Sequence, residues 1–357
     1  GLFERIKAAV GGEVPVEDDL DMGGSSRVKN LPEPEQEGDA ARRGYVDAAA
    51  GGGVSIEASG TTSISAQSLP SPPGVEQRNA SAAFLDGYVY LIAGRDSNFN
   101  SLSVVRRFDV QSETWETVSS YPLTAYNTAA TAANGFIYVA GGTTGDAALI
   151  DVNKYDPATD SWSAVTFLPS AETNIALAAS ERRLFYFGFA DAEAHYYDFD
   201  TGAESPIQPP PDITACGGAV VGDYLYLVGG YSATEGSEVS STYRAYIGSY
   251  PDDDPLIKSD DGVWEEVDSM VTSRREVPVK EYGGRMYVAA ASQSPTPVET
   301  YSPNEDLWNT SVVLDRNLDN TALAVADGEA YILSSGDQTV SIKTDVFKTA
   351  FTPNSDT

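Results

Sequence analysis

Apolar and polar positions alternate along most of this chain in short runs, and the runs recur. From Gly87 the sequence reads GYVYLIAGR, then a polar loop, then VVRRFDVQSETWETVSSYPL; from Gly135 it reads GFIYVAGGTT and then IDVNKYDPATDSWSAVTFLP. Alternation over four to eight residues predicts half-buried strands, and a Gly just before an aromatic run predicts a tight hairpin turn. Tyr138 follows Tyr90 by 48 positions, and Trp162 follows Trp115 by 47. A fixed period of this size is the signature of stacked supersecondary units that cannot bury their faces alone.

Counted by the aromatic of the inner strand, there are six units, at Tyr90, Tyr138, Tyr186, Tyr226, Tyr287 and Tyr331. Gly87, Gly135, Gly222, Gly284 and Gly328 stand shortly before five of these aromatics, and Arg183 replaces the Gly in the third. The small pairs Ala93-Gly94, Gly141-Gly142 and Gly229-Gly230 follow the aromatic and let the backbone pass close to a crowded centre. Outer aromatics come next at Phe108, Tyr155, Tyr197 and Tyr301, and Trp115, Trp162, Trp264 and Trp308 read as filling between adjacent sheets. The third unit lacks the Trp and the glycine pair, and the fourth carries an insertion around Glu235 to Gly262.

Over roughly residues 54–357 these features resemble kelch-repeat β-propellers. The resemblance implies an all-β fold: a six-bladed kelch-type β-propeller with four antiparallel strands to a blade. The last unit, AYILSS to SIKTDVFKTAF, is short of one outer strand, which SISAQSLP (63–70) is expected to supply, closing the ring.

Residues 1–53 stand outside the repeat and predict a small extended and helical N-terminal attachment region. Leu2, Phe3, Ile6 and Val10 share one helical face before the breaker Gly11-Gly12, and the acidic EVPVEDDLDMGGSS that follows reads as loop. Pro32 and Pro34 hold the chain extended, Asp39 suits the N-cap of a short helix, and Gly51 to Gly53 end it in a hinge. Asn30, Leu31, Pro32, Pro34, Asp39, Ala40, Ala41, Tyr45, Val46 and Asp47 resemble a motif of tail-fibre and spike proteins of tailed viruses. Arg42-Arg43 departs from it, standing where that family often has Thr-Lys. The resemblance implies that residues 1–53 attach the protein to a virion and assemble a homotrimer. The competing reading is a linker with one capped turn.

Charge sharpens this picture. The chain has 53 acidic against 22 basic residues, a formal net charge of −31, with the acids spread through every segment. Self-repulsion of that size is screened to about 3 Å in molar salt, against about 10 Å in dilute buffer. The reading favoured over an ordinary acidic protein is one adapted to high salt, from a haloarchaeal virus. Binding to nucleic-acid phosphates is not expected at this charge. No apolar run is long enough for membrane insertion, and no charged-then-apolar stretch suggests secretory export.

His195 and Cys216 are the only residues of their kinds, which rules out an intramolecular disulfide framework and most zinc, copper or haem sites. The copper oxidase chemistry known among kelch propellers is therefore not expected, and neither a cofactor nor enzymatic activity is predicted. Asp252 to Asp254 and Asp260-Asp261 could hold a structural Ca²⁺ or Mg²⁺, or lie in solvated loops. SDDG (259–262) faintly resembles the Asp-box of sialidases. His195 reads as a packed residue and Cys216 as buried core.

In kelch propellers, partners meet the loops after the glycine pair and those leading into each innermost strand. By that resemblance the receptor- or glycan-binding candidates are Arg95, Asp96, Asn98 and Phe99, then Tyr126, Asn127 and Thr143, then Tyr231, Arg275, Arg316 and Asn317. Aromatic platforms beside amide and guanidinium donors suit sugar hydroxyls and carboxylates. The expectation is a structural virion protein, a tail fibre or spike, that is extracellular and contacts other tail or baseplate proteins. It would bind a host cell-surface glycan or glycoprotein. The alternatives are a glycan-cleaving propeller enzyme of the virion, a capsid decoration or turret protein, and a cellular kelch adaptor.

Overall fold

The computed structural model describes residues 20–21, 27–28, 66–188, 194–208, 212–247, 264–289, 296–314, 322–326, 329–333 and 339–343. The chain divides into Gly1–Ser63 and Ile64–Thr357. In the first unit, Leu20–Asp21 pairs antiparallel with Arg27–Val28, with Leu20 opposite Val28 and Asp21 opposite Arg27. Leu20–Asp21 therefore forms a strand within a stretch expected to be loop. The stretches expected to be helical, 2–10 and 39–50, lie outside the described residues.

The second unit is built of four-stranded antiparallel sheets. The first blade runs Ser81–Leu85, Tyr88–Ile92, Val105–Asp109 and Thr114–Val118; the second runs Ala129–Ala133, Phe136–Ala140, Leu149–Asp156 and Ser161–Glu172. The third takes Ala176–Ala179 to Glu204–Ile207, the fourth Gly217–Val221 to Glu265–Val267, and the fifth Val279–Tyr282 to Leu307–Leu314. Ala322–Ala326, Glu329–Leu333 and Thr339–Lys343 form a further sheet, completed by Ala66–Ser68 from the other end of the propeller sequence.

The expected fold of six blades after a partly helical region is corrected accordingly. Five blades are self-contained runs of four consecutive strands, and no helix occurs among the described residues. The remaining sheet is a composite, because its C-terminal segment contributes three strands and its open edge takes up Ala66–Ser68 by backbone pairing. The innermost strands touch in order round the ring, and Ala322–Ala326 packs beside Ser81–Leu85. The fourth-blade insertion is also smaller than expected. Ser237–Tyr246 is that blade's third strand, because Val239, Thr242 and Ala245 are buried. Residues 248–263, with the Asp runs, lie outside the described residues.

Local chemistry explains the regularity. Asn134-Gly135 turns between strands with both φ positive (52° and 78°), the geometry of a tight hairpin. Gly142 at φ 92° would place a Cβ 2.6 Å from Thr128 Cγ2 and 2.7 Å from the Tyr126 carbonyl, so only glycine fits. Each Trp is tied to the preceding sheet. The indole N–H of Trp115 donates to Pro70 O (2.7 Å), Trp162 to Ser119 O (2.9 Å), Trp264 to Gln208 O (2.7 Å) and Trp308 to Thr242 Oγ1 (3.0 Å). In the third blade, Glu204 stands opposite Tyr197, the register that holds Trp162 opposite Tyr155 in the second. Phe199 fills the gap instead, its ring 5.0 Å from Tyr138.

Candidate functional site

Strands alternate in direction, so loops joining second to third strands share one face with loops leading into the innermost strands. Backbone bridges join them: Arg78 with Arg95, Arg95 with Ser101, Leu102 with Ala125, and Tyr126 with Thr143. The structure thus brings Arg95, Asp96, Asn98, Phe99, Tyr126, Asn127 and Thr143 together across the first two blades.

Arg95 is the centre of this group. Its Nε donates to Asn79 Oδ1 at 2.8 Å, and its guanidinium carbon lies 4.8 Å from the Phe99 ring centroid and 5.0 Å from that of Tyr126. The described residues offer its Nη groups no hydrogen-bond partner. The result is a donor fork held on its faces by two rings, with its end open. Phe99 is 64% exposed at φ 67°, a conformation that a bulky side chain adopts only when its surroundings enforce it.

Asp96 supplies that enforcement. Its carboxylate accepts from Asn98 N (2.8 Å), Asn100 N (2.8 Å) and Asn100 Nδ2 (2.9 Å), and the hydrogen bonds from Asn100 hold its carboxyl below the usual aspartate range. It shapes the loop, while Asn98 is exposed on it. Thr143 is similarly committed, donating to Ala147 O at 2.9 Å and accepting from Gly145 N at 3.0 Å.

The other described candidates lie away from Arg95, and Arg275 lines the channel mouth, as Asn127 does. Tyr231, on the fourth blade, is half-buried and backbone-paired with Thr214. Arg275 is exposed and lies 3.4 Å from Glu238 Oε1, a surface pair of little energetic weight. Its neighbour Arg274 is buried against Glu299 and donates to Pro297 O at 3.1 Å. Burial lowers the Arg274 pKa, with Glu299 opposing the shift. Arg316 and Asn317 lie outside the described residues, as do Asn30, Leu31, Pro32, Pro34, Asp39, Tyr45, Val46 and Asp47.

A second feature of this face is the mouth of the central channel, a cavity of about 340 Å³. Asn79, Asn127, Asn174, Ala215 and Glu276 lead into successive innermost strands, each left-handed with φ between 51° and 54°. Backbone N–H groups link several of them blade to blade: Asn127 to Asn79 O (2.9 Å), Asn174 to Asn127 O (3.2 Å) and Glu276 to Ala215 O (2.7 Å). Asn tolerates this conformation better than most residues. Lys280 also lines the cavity; its Nζ donates to Ala130 O, 150 positions away, at 2.7 Å. Burial lowers its pKa to about 8. Asn79, Asn174 and Lys280 are absent from the sequence-derived candidates. The Asn residues at 79, 127 and 174 keep the repeat's spacing and were findable that way; Lys280 has no such signal.

Cys216 is buried, its thiol pushed up to about 12 by burial, and His195 stacks on Tyr186 with ring centroids 5.9 Å apart. Among the described residues no group of three or more His, Cys, Asp or Glu could hold a metal.

The kelch motif matches residues 78–120 and 124–166, which are the first two blades, with Arg95 and Phe99 in one match and Tyr126 in the other. No curated protein matches the chain. A solved structure titled "Structure of YjhT" superposes with a TM-score of 0.57 at 14% identity, covering 76% of this chain and 95% of that one. At that identity the likeness concerns the fold, which hosts many unrelated activities. The chain is an all-β propeller that carries kelch motifs in its first two blades.

Proposed function

We propose that this propeller is the receptor-binding part of a virion protein, a tail fibre or spike of a tailed virus living in high salt, and that it holds a host cell-surface glycan or glycoprotein. The observation that carries the binding role is Arg95, fixed by Asn79 and by the rings of Phe99 and Tyr126 with its Nη groups open. A guanidinium prepared in this way binds a carboxylate or a row of hydroxyls with little further loss of side-chain freedom, and the exposed Phe99 ring offers a sugar its apolar face. The virion setting rests on the resemblance of residues 30–47 to tail-fibre proteins. Trimerisation through residues 1–53 would add avidity, so a weak single site would suffice.

The test is adsorption competition in molar salt. The full chain is added to candidate host cells before virus, with heat-denatured chain as control. Folded chain should block adsorption, and the Arg95→Ala chain should need at least about tenfold more protein for the same block, as for loss of an arginine anchor. A folded chain that blocks no host adsorption would overturn the reading. Cleavage of host glycan by the chain would move it to the enzymatic alternative.

A further inference from the structure

The channel mouth holds a cation that the fold does not account for. Lys280, on the innermost strand of the fifth blade, reaches across the channel to the carbonyl of Ala130 on the second blade, three blades round the ring. This hydrogen bond uses one of the three ammonium N–H groups. Among the described residues no carboxylate forms an ion pair with it. Lys280 is half-buried, and an ammonium drawn partly out of water with no opposite charge beside it is kept at a cost.

The surrounding groups are those of a polar ligand site. The Asn127 and Asn174 side chains line the cavity, and none of the described residues hydrogen-bonds either carboxamide. Asn79 is already engaged by Arg95, and the Ser81 and Thr128 hydroxyls bond each other at 2.8 Å. Innermost strands also present their unpaired edge groups to the channel, as the Ala130 carbonyl shows, and such carbonyls can accept from ligand hydroxyls. The remaining ionisable groups on the lining are Glu238 and Arg275, which face each other, Glu276, which is exposed, and the neutral Cys216 thiol.

We infer that this mouth is a second ligand site, separate from the Arg95 rim, which takes a small carboxylate bearing hydroxyl groups. Its carboxylate meets the Lys280 ammonium, and its hydroxyls meet the Asn127 and Asn174 carboxamides and the edge carbonyls. One cation suits a single negative charge, and a point charge on a flexible stem suits a carboxylate without demanding the bidentate geometry of arginine. The cavity, at about 340 Å³, is at the small end of the range of ligand pockets, and a one-ring compound fits in it.

The experiment titrates D-glucuronate, with D-glucose as its neutral counterpart, into the full chain by calorimetry at fixed ionic strength. Glucuronate should bind saturably at one site per chain, at least tenfold more tightly than glucose. Lys280→Met should weaken it at least tenfold, whereas Phe99→Ala should leave it unchanged, which separates this site from the rim. Should Lys280→Met not fold, Asn174→Asp serves, since a carboxylate at the mouth should also weaken glucuronate at least tenfold. The Lys280 ammonium loses its proton as pH rises from 7 to 9.5, so affinity should fall over this range. No saturable binding by the folded chain, equal binding of glucose, or binding that a folded Lys280→Met or Asn174→Asp chain retains in full would overturn the inference and leave Lys280 as a strut across the channel.

Discussion

Arg95 and Arg274 lie in loops on the same face of the propeller, yet they end in opposite situations. Arg95 is braced by rings and open at its end. Arg274 is 3% exposed and spends its guanidinium on Glu299, itself fully buried, and on the Pro297 carbonyl. The Arg95 loop projects, because Asp96 folds it into a compact turn that carries Phe99 outward. The Arg274 loop is drawn inward: Gly230 N donates to Arg274 O at 2.7 Å, and Arg274 N to Val239 O at 3.2 Å. Depth, rather than residue type or place in the repeat, separates the open guanidinium from the buried one.

The largest effect should come from breaking the buried pair. Arg274→Ala leaves Glu299 charged and unpaired, and should lower unfolding free energy by about 3–5 kcal/mol, read by urea denaturation. Glu299→Gln should cost less, because the remaining amide can still accept from Val271 N, as the carboxylate does at 2.7 Å. Next comes Gly142→Ala, where the new Cβ meets the Tyr126 carbonyl at a positive φ. A loss of roughly 1–3 kcal/mol is expected, and because Tyr126 braces Arg95, adsorption should fall with it. If Gly142→Ala matches wild type in both measurements, the two sites are not coupled through this contact.

Arg95→Ala should reverse the balance seen at Arg274. Its stability change should stay within about 1 kcal/mol, the scale of an exposed cation–π contact, while adsorption competition falls. A large loss of stability would erase the distinction between the two arginines.

The smallest effect is a titration. The Asp96 carboxyl should titrate below the ordinary aspartate value of 3.8 in a carbon-detected NMR experiment. Between that folded value and the ordinary one, the unfolded chain binds more protons. The contribution of Asp96 is therefore fully present above pH 4 to 5 and is lost as pH falls through the folded pKa. A midpoint at or above 3.8 would mean that the hydrogen bonds from Asn98 and Asn100 do not hold the loop in solution.

Much of this was legible in the chain. Alternation over GYVYLIA and GFIYVA reports half-buried strands because side-chain direction in a strand depends only on neighbouring residues. Trp115, Trp162 and Trp308 could be assigned to the spaces between sheets because each follows its outer aromatic by seven positions. The rim candidates Arg95 and Phe99 could be placed by their offset from Ala93-Gly94, and Tyr126 by its place in the loop leading into an innermost strand. Asp96 reads in the chain as a ligand contact; what the sequence did not show is that its carboxylate also folds the loop, through hydrogen bonds from Asn98 and Asn100. The third blade hid its filling, because Phe199 replaces a Trp from a hairpin turn rather than from the strand.

By itself the sequence determined what is local and periodic: strand pattern, hairpin turns, the glycine positions and the loops that share a face. The tertiary structure alone decided which guanidinium is buried, and that the amine of Lys280 meets the carbonyl of Ala130 across the channel. Those two outcomes depend on groups far apart in the chain being brought out of water together, and no spacing in a single sequence encodes which of them will meet.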